Sequence, residues 1–357
     1  MNSFGKYLRI TIFGASHEDY IGLTVDGYPA GIFLDEKLIR EKLQLRRGLV
    51  GLTSKRYEED DYRIISGVFN GITTGAPLTF LVPNCDVDSA PYEERYGLAR
   101  PSHADYTYYC KYQGSADYRG GGVASGRLTV VLVILGAVCE QLITAKNIII
   151  AARLKSLADI TDSDLTLTEA TLRTFNNEKM PVYSASVKNK MLDKITLLQE
   201  TGDSCGGVVE TYIANLPVGL GNPFFDGVES LIAHLIFSIP GVKGIEFGAG
   251  FKIATMLGSE ANDAMSYESG RLVYHSNHAG GINGGLTNGA LIVFSTAFRP
   301  TPSISIEQST VNFINKTNQK IKFTGRHDTV IAIKGLHVVK ALAAYSIAEL
   351  MIKEGLL

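Results

Sequence analysis

The sequence has little of several features that would assign a protein to a class at once. Its 357 residues carry 34 Lys and Arg against 36 Asp and Glu, which gives a net charge of −2 at pH 7. Without a strong field of one sign, the chain lacks the charge pattern of a nucleic-acid or membrane-surface protein, and we expect neither partner. Any anionic ligand must then be met by local clusters of arginine and lysine.

Cysteine and long apolar runs are also scarce. The four cysteines are Cys85, Cys110, Cys139 and Cys205. None forms a CxxC pair and a chain of this length needs no disulfides, so we expect reduced thiols and a cytoplasmic location. The first residues lack the pattern of a signal peptide. The most apolar stretch, 128–143, is short for a membrane span and carries Glu140 and Gln141, so it predicts a buried core helix.

Familiar catalytic motifs are absent as well. There is no GK[ST] phosphate loop, and no glycine run with the GxGxxG spacing of a dinucleotide site. His275 and His278 have HxxH spacing, but no third ligand follows nearby, so we predict no metal site.

The pattern of apolar residues predicts interspersed strands and helices. Strands are expected at 8–13, 62–69, 77–82, 147–153, 208–216, 242–254 and 291–298, and helices at 35–45, 128–143, 164–175, 226–238 and 336–354. Asn70-Gly71 favours the tight turn of a hairpin. Hairpin signals outnumber βαβ units and no linker divides the chain. The sequence therefore predicts an α+β protein with antiparallel sheets in a single large domain, residues 1–357.

What the sequence does contain is a set of short polar blocks. Three carry histidine: GASHE at 14–18, RPSHAD at 100–105 and GRHD at 325–328. They suggest one active site that handles protons beside an anion. Each block alone has a structural alternative, such as a loop histidine in a hydrogen-bond network. The glycine run at 120–122 favours close approach of an anion, or else a tight-packing turn, and the run at 280–285 favours close approach of a flat or phosphorylated ligand.

Taken in order, these blocks resemble the chorismate synthase family, from Gly5 to about Met351. The resemblance is carried by GASH, DGYPAG, EEDDYRIISGVFNGITTGAP, RPSHADYTYYCKY, DYRGGG, GDSCGGVVE, PVGLGNPFFD, SIPGVKGIEFGAGF, GSEANDA, NHAGGINGGLTNG, RPTPSI and GRHD. It implies loss of phosphate and a proton from 5-enolpyruvylshikimate 3-phosphate (EPSP) to give chorismate in the shikimate pathway. It also implies reduced FMN without net redox change, an α-β-β-α sandwich and a homotetramer.

The resemblance further implies catalytic roles for five residues. His17 matches the histidine that protonates the departing phosphate, and His103 the one that protonates the reduced flavin. Asp328 matches a carboxylate that helps the flavin nitrogen accept the substrate proton. Ser16 and Ser125 match serines of a proton relay.

Ligand-binding positions follow in the same way. Arg46 and Arg47 match an arginine pair beside the substrate phosphate and the nicotinamide site. Positions that match flavin contacts, or lie among them, are Ser125, Pro240, Gly241, Gly284, Arg299, Pro300, Thr301, Pro302, Ser303 and Arg326. Whether the chain reduces FMN itself with NADPH or depends on an external reductant stays open.

The sequence departs from the family pattern at a few positions. Ala15 and Glu18 depart from the family's GESHG within the first histidine block, Gly51 and Val123 stand where the family has arginine, and Leu128 replaces a glutamate. Each lost charged hydrogen bond could cost ~1.5–3 kcal/mol of ligand binding, unless Arg127 or Lys55 substitutes. An impaired paralogue that binds flavin or an anion without full activity is therefore the alternative to an active enzyme.

Overall fold

The structure is a computed structural model that describes residues 2–49, 51–52, 59–323 and 328–357. The strands of this part of the chain are β1 (Ser3–Phe4), β2 (Arg9–Gly14), β3 (Tyr20–Asp26), β4 (Arg63–Ser66), β5 (Val68–Phe69), β6 (Ile72–Thr73), β7 (Leu78–Pro83), β8 (Ile149–Leu157), β9 (Ile160–Thr161), β10 (Gly207–Ala214), β11 (Val242–Phe247), β12 (Met265–Glu268), β13 (Arg271–Tyr274), β14 (Ile282–Asn283), β15 (Leu286–Thr287), β16 (Ile292–Phe298), β17 (Gln308–Asn312) and β18 (Thr317–Ile321). The α-helices are α1 (Glu36–Arg46), α2 (Ala90–Glu93), α3 (Asp105–Lys111), α4 (Thr129–Thr144), α5 (Glu169–Phe175), α6 (Ala185–Thr201), α7 (Val228–Ile236), α8 (Gly258–Ala261) and α9 (Ala332–Lys353).

Two five-stranded antiparallel sheets form the framework. The first has the order β1-β2-β3-β7-β4, and the second has the order β11-β16-β10-β8-β9. Asn70-Gly71 makes the predicted turn between β5 and β6, with both residues at positive φ. The α+β class and the antiparallel sheets are thereby confirmed.

The layer order differs from the expected α-β-β-α arrangement. Helices α4 and α9 pack on each other, α4 against β3 and β7 of the first sheet and α9 against β8 and β10 of the second. The long helices therefore lie between the sheets. The physical reason is their composition, since a helix that is apolar all round must be buried on all sides. On the outer face of the second sheet, Leu172 and Phe175 of α5 cover Ile149 and Tyr212.

The contact between the two central helices depends on one glycine. A Cβ built on Gly136 of α4 would stand 2.3 Å from both Cα and Cβ of Ala341 in α9, so only glycine permits this approach. Gly126–Thr144 and Ala332–Lys353 are long and apolar enough to cross a membrane by length and composition. However, 83% and 94% of their apolar windows are buried inside the fold, as the core-helix prediction for 128–143 requires.

Most predicted elements are present, with shifted ends. The strand expected at 242–254 stops at Phe247, and a 3-10 helix, Gly250–Thr255, follows. Helix α9 begins four residues earlier than predicted. Helix α6 was not predicted, because along its 17 residues only Met191 and Ile195 are buried. In the glycine run at 280–285, Gly284 and Gly285 form the turn of the short β14–β15 hairpin.

Candidate active site

A cavity of about 1000 Å³ opens beside the central helices. Its walls come from the loop after β2, the end of α1, the segment 86–127, the turn before β11, the stretch after β16, the β17–β18 hairpin and the start of α9. Most of the segment 84–126 thus folds around this space. Its volume is at the upper end of ordinary ligand pockets.

Ser16 and His17 form a hydrogen-bonded pair in the cavity wall. Ser16 Oγ lies 2.9 Å from His17 Nδ1, and His17 Nε2 lies 3.4 Å from the carbonyl oxygen of Asp88. The ring of Tyr92 meets the imidazole edge-on, with ring centroids 5.2 Å apart. The turn after β2 thus brings the side chains of these two adjacent residues together. Hydrogen-bond partners at both ring nitrogens and the contact with Tyr92 therefore fix the orientation of the His17 imidazole.

The glycine turn 120–122 packs over this pair. Gly120 lies against the His17 ring at φ +61°, and the carbonyl of Gly122 accepts a hydrogen bond from Ser16 N at 3.3 Å. Nearby, hydrogen bonds from Arg119 hold the pKa of Asp117 below its usual range, and the charge of His17 acts in the same direction. The tight-packing alternative for this glycine run is thus realised at Gly120.

His103 lies on another part of the wall, beside an ion pair. Its backbone N–H donates to the carbonyl of Arg100 at 3.0 Å. The guanidinium of Arg100 donates to the carboxylate of Asp105 from Nε at 2.8 Å and from Nη2. Burial raises the pKa of Asp105, but hydrogen bonds and charge from Arg100 outweigh it, and the charge of His103 adds to the net lowering. Asp105 therefore remains ionised beside His103 near neutral pH.

Among the residues that match flavin contacts, Arg299 lies next to His103. Arg299 N donates to the carbonyl of Gly241 at 2.9 Å, and Arg299 Nη1 donates to the carbonyl of Ser102 at 2.7 Å. Thr301 also lines the cavity, and within the described part of the chain its buried Oγ1 has no hydrogen-bond partner. A cation and a buried hydroxyl that lacks a protein partner suit a polar, anionic ligand.

Asp328 enters the cavity just before α9. Lys334, on the first turn of that helix, donates to both carboxylate oxygens of Asp328 at 2.8 and 3.1 Å. Both residues line the cavity. The sequence pointed to Asp328 but not to Lys334, because a pair six residues apart across a helix start leaves no periodic signal.

Two further arginines of the cavity wall are hydrogen-bonded to protein acceptors. Arg46, at the end of α1, donates to Thr129 Oγ1 from Nε at 3.2 Å and from Nη2 at 3.0 Å. Arg127 donates to Asn84 Oδ1, to the carbonyl of Pro83 and to the carboxylate of Asp60. Arg127 is therefore committed to protein acceptors and is not placed to substitute for a missing ligand-binding arginine.

The structure brings most of the predicted site residues together. The cavity lining includes Ser16, His17, Arg46, Arg47, His103, Ser125, Pro240, Gly241, Arg299, Thr301, Ser303 and Asp328. Pro300 and Pro302 alternate with lining residues and are not part of the lining, and Gly284 lies in the turn of the β14–β15 hairpin, away from the cavity wall. Arg326 and Lys55 lie outside the described residues.

The positions where the family has arginine lie off the wall. Gly51 and Val123 are absent from the lining, Val123 is exposed, and the carbonyl of Gly51 accepts a hydrogen bond from Gln199 of α6.

Sequence reasoning also missed lining residues such as Asp60, Tyr92 and Arg95. Arg95 lies 5.6 Å from the Phe323 ring centroid, and only tertiary contacts place it there.

The chain is similar to known proteins over nearly its whole length. The family model described as chorismate synthase matches residues 8–352. Chorismate synthase of Korarchaeum cryptofilum is 42% identical over 97% of this chain and 96% of its own length, and that of Dehalococcoides mccartyi is 40% identical over 100% and 98%. That of Archaeoglobus fulgidus is 38% identical over 100% and 99%.

A solved structure is similar as well. A crystal structure of chorismate synthase superimposes with a TM-score of 0.77 and 26% sequence identity, covering 98% of this chain and 93% of the other. None of these comparisons supports an impaired paralogue. The family model and the relatives each span nearly the whole chain, so the chain belongs to the chorismate synthase family.

Proposed function

We propose that the cavity is the active site in which this chain eliminates phosphate and a proton from EPSP to form chorismate, as a carbon–oxygen lyase that requires reduced FMN. One observation carries the proposal: residues scattered from Ser16 to Asp328 in sequence line one cavity of about 1000 Å³. A space of that size suits two ligands side by side, which a reaction with both a substrate and a flavin needs.

The donor set fits a flavin next to His103. Arg299 offers a cation, and the buried Oγ1 of Thr301 lacks a hydrogen-bond partner among the described residues. We assign flavin binding to the stretch from Arg299 to Ser303 and to the turn at Pro240-Gly241. Reduced FMN, when bound, supplies the electronic chemistry of C–O bond cleavage, while the protein binds and orients it and excludes water.

The chain's own groups divide the proton handling between two walls. His17, held by Ser16 and Tyr92, acts as the general acid that protonates the departing phosphate; such a group contributes ~10²–10⁴-fold. His103, beside the ionised Asp105, holds a proton on the flavin-side wall. Asp328, paired with Lys334, assists uptake of the proton that the substrate loses.

Further properties belong to the same proposal. We assign the chain to the cytoplasm, as a single domain. Homotetramer formation is supported by highly exposed apolar side chains, including Phe224 at 89%, Phe225 at 92% and Phe251 at 85% exposure, because such surfaces commonly mark interfaces. Light scattering after size-exclusion chromatography measures the assembly, and a monomer at micromolar concentration would contradict it.

The activity is tested in an anaerobic steady-state assay of the purified protein with EPSP. Chorismate, quantified by liquid chromatography, should form with reduced FMN and not with oxidised FMN alone. Failure to form chorismate at saturating reduced FMN would contradict the proposal. A separate anaerobic assay of NADPH oxidation with FMN decides whether the chain reduces its own flavin or depends on an external reductant.

A further inference from the structure

We propose that Asp60 is a positioning residue that fixes the guanidinium of Arg46 in the cavity wall before an anionic ligand arrives. The inference rests on the proposed function only in naming that anion as the phosphate group of EPSP. Neither the histidine blocks nor the arginine pair pointed to Asp60, which precedes β4 in a run of acidic residues.

The carboxylate of Asp60 lies between two guanidinium groups. Oδ1 accepts a hydrogen bond from Arg127 Nη1, and Oδ2 lies 3.5 Å from Arg46 Nη1. The side chain of Asp60 is 2% exposed, that of Arg127 5% and that of Arg46 11%. Water therefore screens these charges poorly, and the position of each depends on the other two.

The other contacts of Arg46 complete its orientation. Nε and Nη2 both donate to Thr129 Oγ1, and Nη2 also donates to the carbonyl of Gly126 at 3.0 Å. Among these contacts with the described residues Asp60 is the charged one, because Thr129 and the carbonyl are neutral acceptors. Its carboxylate lies beside Nη1, whereas the two neutral acceptors bind Nε and Nη2.

The same network reaches the proposed acid. Arg127 Nε donates to Asn84 Oδ1 at 3.0 Å, and Asn84 Nδ2 donates to the carbonyls of Ala15 and Glu18, which flank His17. Asp60 thus connects Arg46 to the loop of His17. In the proposed reaction Arg46 binds the phosphate group and His17 protonates it. One hydrogen-bond network therefore fixes the positions of both residues relative to each other.

The backbone of Asp60 is consistent with a constrained position. Its φ of 54° lies in the left-handed region, which aspartate tolerates better than most non-glycine residues but which still costs energy. Strained conformations of this kind persist where the surrounding contacts maintain them.

The test compares Asp60→Asn with Asp61→Asn. In Asp60→Asn, two buried cations share one neutral side chain, so the more exposed Arg46 should shift. KM for EPSP should rise roughly 10-fold with kcat nearly unchanged, because Arg46 is no longer held in position to bind the phosphate group of the substrate. Asp61 is 70% exposed and pairs with Arg40 at 3.4 Å on the surface, so Asp61→Asn should keep the wild-type KM.

A double-mutant cycle distinguishes positioning from a general structural effect. If Asp60 acts through Arg46, then Arg46→Ala combined with Asp60→Asn should bind no worse than Arg46→Ala alone. Thr129→Val, which removes an acceptor of Arg46 and leaves Asp60 in place, should reproduce a smaller rise in KM even where Asp60→Asn folds poorly. Circular dichroism checks the fold of each variant.

Calorimetric titration with inorganic phosphate provides a readout without turnover. Wild type and Asp61→Asn should share one Kd, and Asp60→Asn should bind roughly 10-fold more weakly. An inactive wild type would contradict the proposed function, while this titration still tests Asp60. Equal KM and phosphate Kd in Asp60→Asn and wild type, or additive effects in the cycle, would overturn the inference.

Discussion

Gly120 and His17 are in direct contact across the cavity wall. A Cβ built on Gly120 would stand 2.4 Å from His17 Cε1 and 2.8 Å from Nδ1, and Gly120 adopts φ +61°. Both the space and the backbone conformation therefore exclude a side chain at this position. For the glycine run of the DYRGGG block the sequence allowed two alternatives, an anion-binding turn or a tight-packing turn. In the structure this block fixes the position of the His17 imidazole.

Gly120→Ala should displace His17 and lower kcat by roughly 10²-fold, because a misplaced acid loses its alignment with the leaving group. Gly258→Ala is the matched control, since a Cβ at Gly258 meets no atom within 4 Å and Gly258 lies at the start of α8. Steady-state kinetics of both variants measure the effect. Wild-type kcat in Gly120→Ala would show that the contact does not constrain His17.

Glu349 of α9 anchors the N-terminal segment. Its buried carboxylate accepts hydrogen bonds from the backbone N–H groups of Lys6 at 2.7 Å, Tyr7 at 3.1 Å and Leu8 at 2.5 Å. Glu349→Gln should lower the free energy of unfolding by about 2–3 kcal/mol, because an amide turns an N–H toward donors that need an acceptor.

Urea denaturation followed by circular dichroism measures this loss. Glu354→Gln is the control, because Glu354 is exposed and its side chain pairs at 3.4 Å with Lys353 at the end of the same helix. Its unfolding free energy should stay within about 0.5 kcal/mol of wild type. Equal stability of the two variants would contradict the anchoring role of Glu349.

Lys340 makes stability depend on alkaline pH. Burial lowers the pKa of Lys340 from 10.5 to about 7, the charge of Lys42 acts in the same direction, and Nζ donates to Asn176 Oδ1. Between pH 7 and 10.5 the unfolded chain binds more protons than the folded chain. The free energy of unfolding should therefore rise with pH across this window, by about 5 kcal/mol in total.

Lys340→Met should remove that contribution. Urea denaturation of wild type and variant at pH 7, 8, 9 and 10 isolates it, because the other titrating groups are common to both proteins. The stability difference, wild type minus Lys340→Met, should increase with pH. A difference independent of pH would show that Lys340 is charged in the folded state throughout this range.

The sequence predicted those elements whose signals are local. The apolar run of α4 requires burial on every side, and Asn70-Gly71 suits the positive φ angles of its turn. Helix α6 is amphipathic only weakly, but its ends carry signals: Ser184 caps Val187 N, and Gly202 ends the helix in a left-handed conformation. Capping residues could have identified a helix that periodicity missed.

The residues of the site divide in the same way, into those with a local sequence signal and those without one. Histidine blocks are visible as motifs, and family resemblance supplied their expected partners. Lys334, Asp60 and Tyr92 act through contacts that the fold creates, six to more than seventy residues from the groups they hold. No local pattern encodes such pairs. The layer order was wrong for a related reason, since apolar helices indicate burial but not which sheets enclose them.

The most direct test of the account is an anaerobic single-turnover experiment with reduced FMN and EPSP, comparing wild type with His17→Ala. Wild type should release chorismate and phosphate in equal amounts. His17→Ala should bind reduced FMN as wild type does and release phosphate at least about 10²-fold more slowly. Phosphate release from His17→Ala at the wild-type rate would contradict the assignment of His17 as the acid on the phosphate side of the cavity.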